Sequence, residues 1–279
     1  MRYNKKGENA MNRSIILKVV ALCGALLLQS SCSQVAVTGR KQLNIVPDSI
    51  MNSMALQSYN EFLNTSKLSA DTQKVNMVKG VGLRIQKAVE EYCKENNLSS
   101  RIKKYQWEFN LVEDPNVNAW CMPGGKVVVY TGLMPVAQNE SGLAVVMGHE
   151  IAHAIARHGS ERMSQGLLVD FGGIALSEAL ANRPQQTKDL FMKSYGMGSQ
   201  IGVLLPYSRL HEKEADRMGL IFMAMAGYNP NEAIGFWERM ATANKGPKPI
   251  ELLSTHPADS TRISNIKRLI PEAMQYYKP

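Results

Sequence analysis

The chain has 279 residues, of which 44% are hydrophobic and 20% are charged, and its formal net charge is +8. Residues 1–31 contain five basic residues and one acidic residue, so half of that charge lies near the N-terminus. The remaining excess is too small to indicate a nucleic-acid-binding protein, and no run of basic and aromatic residues supports one. The roughly 248 residues that follow suit one domain.

The first predicted element is a secretion signal. Two basic residues, Arg13 and Lys18, precede an apolar run over 19–28. That run is too short to span a bilayer and is typical of a signal-peptide core. We therefore expect residues 1–31 to form a signal peptide. Met11 is an alternative start, because the residues before it are mostly polar.

The signal ends in two serines before Cys32, and a cysteine after small residues resembles a bacterial lipoprotein cleavage site. Gln29 stands where that pattern has leucine, so an ordinary signal that is cleaved nearby is the alternative. With lipidation at Cys32, residues 32–47 are expected to form an N-terminal tether. Ser33 then favours the periplasmic side of the outer membrane, by resemblance to enteric sorting rules. A soluble periplasmic protein is the alternative.

Two long helices follow, and helical periodicity predicts them over 48–64 and 69–97. Beyond Cys32, the remaining cysteines are Cys93 and Cys121. Two cysteines do not make a disulfide framework. Whether they pair in an oxidising compartment or stay as free thiols is open at this point.

The middle of the chain predicts a small sheet. Residues 127–131 form a strand by their β-branched content, and 105–112 is a candidate neighbour. Another extended piece, 118–121, leads into a turn at 123–125.

An exposed edge of this sheet is suited to bind an extended peptide by strand addition. The candidate substrate-binding residues are Asn118, Ala119 and Trp120. The alternative is a structural sheet that only covers the helical core.

Residues 149–153 read HEIAH, in a helix predicted to start near Asn139, a residue that suits a helix cap. Positions four apart share a helix face, so His149 and His153 present two imidazoles to one ion. Glu150 lies beside them, where it can accept a proton, as in the zinc metallopeptidase motif. The helix is nearly all apolar, so it is predicted to be buried. The alternative is a buried helix whose polar groups are satisfied by hydrogen bonds alone.

His158 is expected to face away from this site and to end the helix. The following region, 161–205, is rich in Gly, Ser and Met and is predicted to form mobile helices over the cleft. Plain core packing is the alternative, because Met fills irregular gaps.

A third metal ligand is expected from another helix, over 208–219. Glu212 and Asp216 are four apart and share a face, which suits a carboxylate ligand with a second carboxylate behind it. Glu214 and His211 are rivals for the ligand role. The alternative is a solvated, charged helix face. Spacing alone does not decide between these interpretations.

Here the sequence resembles a family. HEIAH followed by EKEAD at 212–216 is similar to the HExxH…ExxxD pattern of the gluzincin metallopeptidases, and more narrowly to the CaaX prenyl protease, HtpX and BepA group. Three further segments are similar to that group: VTGRKQLNIV at 37–46, NAWCMPGGKVVVYTGLM at 118–134 and STHPADSTRI at 254–263. The first is similar to the opening of its periplasmic lipoprotein and mitochondrial Oma-type members.

The resemblance implies an α+β, mostly helical fold, in which a zincin-like metallopeptidase domain over 48–279 has a small β-sheet or hairpin beside the HExxH helix. It implies one Zn²⁺ per chain, bound by His149, His153 and Glu212. Asp216 is implied as the acid that supports a histidine ligand. We expect neither the multi-span membrane form of HtpX nor the C-terminal helical-repeat domain of BepA-type proteins.

The resemblance also implies a role for His256. In BepA-like members the corresponding histidine approaches the zinc and acts as a switch, whereas in other gluzincins a histidine in a comparable place stabilises the oxyanion. Either role suits an imidazole near a metal. The alternative is a helix-entry histidine beside Pro257, with Asp259 and Ser260 as caps of a final helix predicted over 259–277. Another helix is predicted over 231–242, after a turn at 228–230.

The implied function is a zinc endopeptidase of the bacterial cell envelope. Metal-activated water would hydrolyse peptide bonds, with Glu150 as general base. Its expected substrates are unfolded or misassembled envelope proteins, and its expected membrane contact is the lipid anchor at Cys32. The alternative is a zinc-stabilised binding or chaperone-like module without catalysis.

Overall fold

The structure is a computed structural model that describes residues 32–170, 176–195, 209–244, 250–256 and 260–279. The predicted signal peptide lies outside the described residues. Helices dominate the described part of the chain, so the predicted fold class is confirmed.

The described helices of five residues or more follow one another along the chain as α1 Asp48–Thr65, α2 Thr72–Glu95, α3 Glu140–Ile155, α4 His158–Asp170, α5 Leu176–Asn182, α6 Pro184–Ser194, α7 Arg209–Met225, α8 Glu232–Ala243, α9 Glu251–Thr255 and α10 Ser260–Ala273. Shorter helical turns cover Ser99–Ile102, Thr131–Leu133, Met134–Ala137 and Met274–Tyr276. The predicted helices over 48–64, 69–97, 208–219, 231–242 and 259–277 are thus present, with ends shifted by a few residues.

The described strands are β1 Cys32–Gln34, β2 Lys41–Leu43, β3 Glu108–Val112, β4 Ala119–Met122 and β5 Lys126–Tyr130. The last three form a sheet in the order β3-β5-β4. β5 is parallel to β3 and antiparallel to β4, and Ala119 pairs with Val129. Gly124 and Gly125 have φ values of 84° and 81° in the tight turn between β4 and β5, a conformation that favours glycine.

The segment predicted as a tether is folded in this structure. β1 and β2 form an antiparallel hairpin in which Ser33 pairs with Gln42. Val35 and Ala36, at the start of the connecting turn, are buried in the core of the domain. Residues 32–47 therefore join the domain body.

The core has two parts, one on each face of the three-stranded sheet. Ala119, Val127 and Val129 face a large cluster formed with α2, α3, α7 and α8. Trp120 and Val128 face a smaller cluster, which α1, α4 and α6 complete. This alternation is what a pleated strand produces, since successive side chains point to opposite faces.

The region predicted to form mobile helices contributes to the smaller cluster. Met163, Leu167 and Phe191 are fully or almost fully buried there. The core-packing alternative therefore describes α4 and α6 better. The rest of that prediction, over 171–175 and 196–205, lies outside the described residues.

Two other features bear on the expectations. Cys93 and Cys121 are both buried free thiols. Within the described ranges, no helix is both long enough and apolar enough to cross a bilayer.

Candidate metal centre

The centre lies where α3 crosses α7. Asn139 caps the start of α3, because its side chain accepts a hydrogen bond from the Gly142 amide at 2.9 Å. The crossing is close, because Gly148 and Gly219 meet there without side chains between them. His149 lies next to this crossing on α3, and Glu212 lies two turns before Gly219 on α7. The two predicted halves of the site thus converge.

Three predicted metal ligands come together in this structure. The Nε2 atoms of His149 and His153 are 3.1 Å apart. Glu212 Oε1 lies 3.3 Å from His153 Nε2, and Glu212 Oε2 lies 3.5 Å from His149 Nε2. Two nitrogens bound tetrahedrally to one Zn²⁺ at about 2.0–2.1 Å would be about 3.3 Å apart. The observed separations match the edges of such a tetrahedron.

His256 supplies a fourth atom to the same group. Its Nδ1 lies 3.2 Å from His149 Nε2 and 2.9 Å from Glu212 Oε1. The four residues offer ligand atoms that all lie within 4.8 Å of one another. The residue ends α9 and is 3% exposed.

The donor set fits a metal ion. Two imidazole nitrogens and a carboxylate are ligands that borderline transition metals accept. Glu212 Oε2 is buried without a hydrogen-bond partner among the described residues, although Arg262 Nη1 lies 3.2 Å away. A buried carboxylate oxygen needs a cation or a hydrogen-bond donor near it. Arg262 is one such cation, and a metal ion bound by the four residues would be another.

The predicted supporting acid lies behind His149. Asp216 Oδ1 is 3.0 Å from His149 Nδ1. If His149 Nε2 is reserved for a metal, its Nδ1–H donates to Asp216, which sets the tautomer.

Arg262 is a further member of this site. Its guanidinium donates two hydrogen bonds to Asp216, at 3.0 and 2.7 Å, and stacks over the Trp237 ring at 3.5 Å. Arg262 lies in the 254–263 segment that resembles the family, and its position in the sequence alone predicts no role for it. A cation 5% exposed and held between carboxylates balances the charge of the acids around it.

His158 does not belong to the four-residue group, but its ring contacts His153 instead of facing away as expected. Its Nδ1 is 2.9 Å from His153 Nδ1, and its Nε2 is 3.1 Å from Glu214 Oε2. The helix ends at Ile155, and Arg157 adopts a φ of 61°, so the chain turns and α4 begins at His158. This turn brings the ring back onto His153.

The two rivals for the ligand role have other partners. Glu214 accepts from His158, Arg40 and Thr38. His211 lies 3.0 Å from Glu161 and stacks on His158. Neither belongs to the four-residue group.

Glu150 is buried beside the group. Its Oε1 has no hydrogen-bond partner among the described residues, and His256 Nε2 lies 3.6 Å from it. Burial raises the pKa of Glu150, and the nearby His256 and His149 oppose that rise. A carboxylate with a raised pKa is suited to accept and return a proton.

Burial and neighbouring charges together set the pKa values of Glu212, His153 and His158. Burial alone would raise the pKa of Glu212, but His256 and Arg262 hold it well below its ordinary value. Burial lowers the pKa of His153 well below its ordinary value and lowers that of His158 to about 4. Both rings are therefore neutral at pH 7, as a metal ligand and a hydrogen-bond acceptor require.

The predicted substrate-binding residues lie on or just before β4, the edge strand of the described sheet, and all three are buried rather than exposed as expected. Asn118 Oδ1 accepts from the Ala119 amide at 2.9 Å. The Trp120 ring points away, into the smaller core cluster. β4 packs against α3, the helix that carries Glu150.

Comparison with known proteins agrees with this geometry. The family described as peptidase family M48 matches residues 82–270. The mitochondrial metalloendopeptidase OMA1 of Saccharomyces cerevisiae is 33% identical over 70% of this chain and 55% of its own length. OMA1 of Homo sapiens is 34% identical over 62% of this chain and 34% of its own length.

A bacterial relative is also similar. The beta-barrel assembly-enhancing protease of Yersinia pestis is 30% identical over 58% of this chain and 34% of its own length. The chain thus spans about half or less of the length of these relatives. The family match covers more than half of the chain and includes the HExxH helix, Glu212 and His256. The chain therefore belongs to peptidase family M48.

Proposed function

We propose that this protein is a zinc-dependent endopeptidase. The observation that carries the proposal is the convergence of ligand atoms from His149, His153, Glu212 and His256 within 4.8 Å, with Glu150 buried beside them. Nitrogen and carboxylate donors at tetrahedral separations favour Zn²⁺ over the larger, oxygen-seeking Ca²⁺ and Mg²⁺.

In this proposal His149, His153 and Glu212 hold the metal and Asp216 orients His149. Zn²⁺ held by these residues would supply a Lewis acid and would lower the pKa of a bound water toward 7. Glu150 accepts the proton of the attacking water and returns it to the amine that leaves. Its raised pKa favours both transfers near neutral pH.

His256 acts as a gate in this proposal. Its Nδ1 lies close to the ligand atoms of His149 and Glu212, so it would compete with water for a metal held there. Cleavage would then require the His256 ring to move away from the group. The oxyanion role remains a second candidate, because His256 Nε2 already faces Glu150 at 3.6 Å.

The substrate chain adds to β4. Tyr130 donates its amide to the Asn118 carbonyl, so hydrogen-bonded pairs alternate along the ladder and Ala119 and Cys121 turn their backbone groups away from β5. An extended peptide is proposed to bind to those outward groups, beside Glu150. Trp120 contributes its ring to the core behind the strand rather than to the substrate.

The proposed setting is the bacterial cell envelope. Cys32, lipidated after signal cleavage, attaches the protein to the periplasmic side of the outer membrane. The substrates are unfolded or misassembled envelope proteins. Similarity to a beta-barrel assembly-enhancing protease supports this setting, whereas the OMA1 relatives are mitochondrial.

Metal analysis and digestion of an unfolded protein such as casein test the proposal together. Wild type is expected to carry one zinc per chain. Glu150→Gln is expected to keep the zinc and to lose at least about 100-fold in cleavage rate, the usual contribution of a general base. Glu238→Gln, on the exposed side of α8, is the matched control and should cleave like wild type.

Retained cleavage by Glu150→Gln would contradict the assignment of the base. Bound zinc without cleavage by wild type or by His256→Ala would favour a zinc-stabilised binding or chaperone-like module instead.

A further inference from the structure

A chain of hydrogen bonds leads from His153 to residues outside the HExxH motif. A turn at 35–40 connects β1 to β2 and lies against α4 and α7, with the Val35 amide bonded to the Arg40 carbonyl at 2.8 Å. Gly39 has a φ of 68° in this turn. Both polar side chains of the turn, Thr38 and Arg40, reach Glu214.

We propose that Arg40, Glu214 and His158 are positioning residues for the metal ligand His153, so that the N-terminal hairpin is part of the metal centre. The proposal rests on the metal site proposed above. Asp216 contacts His149 directly. The proposed network would orient the other histidine ligand, His153, through a longer chain of hydrogen bonds.

The proton assignments follow from the geometry. His153 Nε2 faces the ligand atoms of His149 and Glu212. It would need its lone pair to bind a metal, so the hydrogen is assigned to Nδ1. That hydrogen is donated to His158 Nδ1 at 2.9 Å, and His158 in turn donates its Nε2–H to Glu214 Oε2 at 3.1 Å. Each ring is then held in one tautomer, as metal-bound histidines generally are.

Glu214 is fixed from its other side. Arg40 donates from Nε to both oxygens of Glu214, at 3.0 and 3.1 Å, and from Nη2 at 3.0 Å. Thr38 Oγ1 donates to Oε1 at 2.7 Å. Four hydrogen bonds to one carboxylate leave it little freedom, so it presents a fixed acceptor to His158.

Arg40 has a second arm, which binds Glu161. It donates to both oxygens of Glu161, at 2.9 and 2.7 Å, and Glu161 is also bonded to His211. If the network only stabilises the fold, loss of either acid should weaken zinc binding equally. If it positions His153, loss of Glu214 should weaken zinc binding more than loss of Glu161, and this difference tests the proposal.

The first test is a long-range ¹⁵N–¹H NMR spectrum of the imidazoles in the zinc-loaded wild-type chain. His158 is expected as the Nε2–H tautomer, with Nδ1 free of hydrogen, and His153 as the Nδ1–H tautomer. A His158 ring with hydrogen on Nδ1 would overturn the proposal, and this result does not depend on any variant folding.

The second test is zinc affinity, measured by competition with a chelating dye. His158→Phe keeps a ring but removes the acceptor, and Glu214→Gln removes the charge. Both are expected to weaken zinc binding by about 10- to 100-fold, the usual effect of losing a group that orients a ligand. His158→Asn restores an acceptor near the Nδ1 position and is expected to recover most of the loss.

Glu161→Gln is the matched control, and it is expected to change zinc affinity less than about threefold. Equal losses from Glu161→Gln and Glu214→Gln would reduce the network to a fold support and overturn the proposal, as would unchanged affinity in His158→Phe. If wild type itself binds no zinc, the proposed metal site fails, and that outcome is separate from failure of the support. Circular dichroism of each metal-free variant shows whether it is folded.

Discussion

Gly148 and Gly219 face each other where α3 crosses α7. A Cβ on Gly148 would lie 3.0 Å from the Gly219 carbonyl oxygen, and a Cβ on Gly219 would lie 2.9 Å from the His149 amide nitrogen. A side chain at either position would separate the helices. The short distance between His149 and Glu212 depends on this contact.

Gly219→Ala is therefore expected to lower the free energy of unfolding by about 1–3 kcal/mol, the usual range for overpacking, and to weaken zinc binding. Urea denaturation of the metal-free protein and dye competition measure the two effects. Gly80→Ala, on the exposed side of α2 with nothing within 4 Å of the added Cβ, should instead stabilise by about 0.5–1 kcal/mol. An equally stable Gly219→Ala would disprove the close-contact argument.

Asp216→Asn tests the support of His149. The substitution removes the charge that receives the His149 Nδ1–H and that pairs with Arg262. Zinc affinity is expected to fall by about 10- to 100-fold, as measured by dye competition. Asp189→Asn, exposed on α6, serves as control. Wild-type affinity in Asp216→Asn would mean that the pair does not orient the ligand.

His256→Ala separates the two candidate roles of this histidine. If His256 Nδ1 competes with water for the metal, its removal should raise kcat/KM on an unfolded substrate and speed zinc exchange. If the ring stabilises the oxyanion, its removal should lower kcat and leave zinc exchange unchanged. Steady-state cleavage and zinc exchange, measured on the same preparation, distinguish the outcomes. A lower kcat would exclude the gate as the main role.

The low pKa values of two buried acids predict how stability depends on pH. Burial alone would raise the pKa of Glu161, but Arg40 and His211 lower it to about 2. Glu214 behaves likewise, and its bonds to His158 and Arg40 lower its pKa to about 2.

Because both values lie below those of the unfolded chain, the stabilisation is present above about pH 4.3 and is lost as pH falls toward 2. Each acid accounts for at most about 3 kcal/mol, since one pKa unit corresponds to about 1.36 kcal/mol. Urea denaturation of the metal-free protein at pH 5 and pH 3 measures the loss. It should be smaller in Glu214→Gln, and an equal loss in that variant would show that Glu214 does not contribute.

Membrane attachment is predicted to depend on Cys32. Expressed with its native N-terminus in a bacterial host, the protein should partition into the detergent phase of Triton X-114, and mass spectrometry should find acyl chains on Cys32. Cys32→Ser should move it to the aqueous phase, whereas Cys93→Ser should not. Aqueous partitioning of wild type would favour the ordinary signal peptide.

Much of the fold was predictable because its signals are local. The β-branched run in β5, the turn at 123–125 and the Asn139 cap each depend on a few neighbouring residues. The spacing of His149 and His153 is also local, because one helical turn brings them together. Mobility over 161–205 was not a safe expectation, since the same Met-rich pattern also suits a packed core.

The contacts that complete the site were less predictable. His158 was expected to face away, because a residue five positions after His153 lies on another face of the same helix. The chain breaks that helix at Arg157, and the break reverses the expected direction. Arg262 and Trp237 could not be paired from spacing, since their stacking joins two separate helices.

The sequence by itself predicted the metal-binding helix, because one helical turn brings its two histidines together, whereas the role of the carboxylate pair on α7 came from the resemblance to a metallopeptidase family. Only the tertiary structure decided which acid reaches which histidine. Asp216 supports His149 directly, whereas His153 is reached through His158 from Glu214 and from Arg40, which lies 174 residues before Glu214. Such choices depend on how helices cross and where the chain turns, and the close contact of Gly148 with Gly219 sets the crossing that allows them.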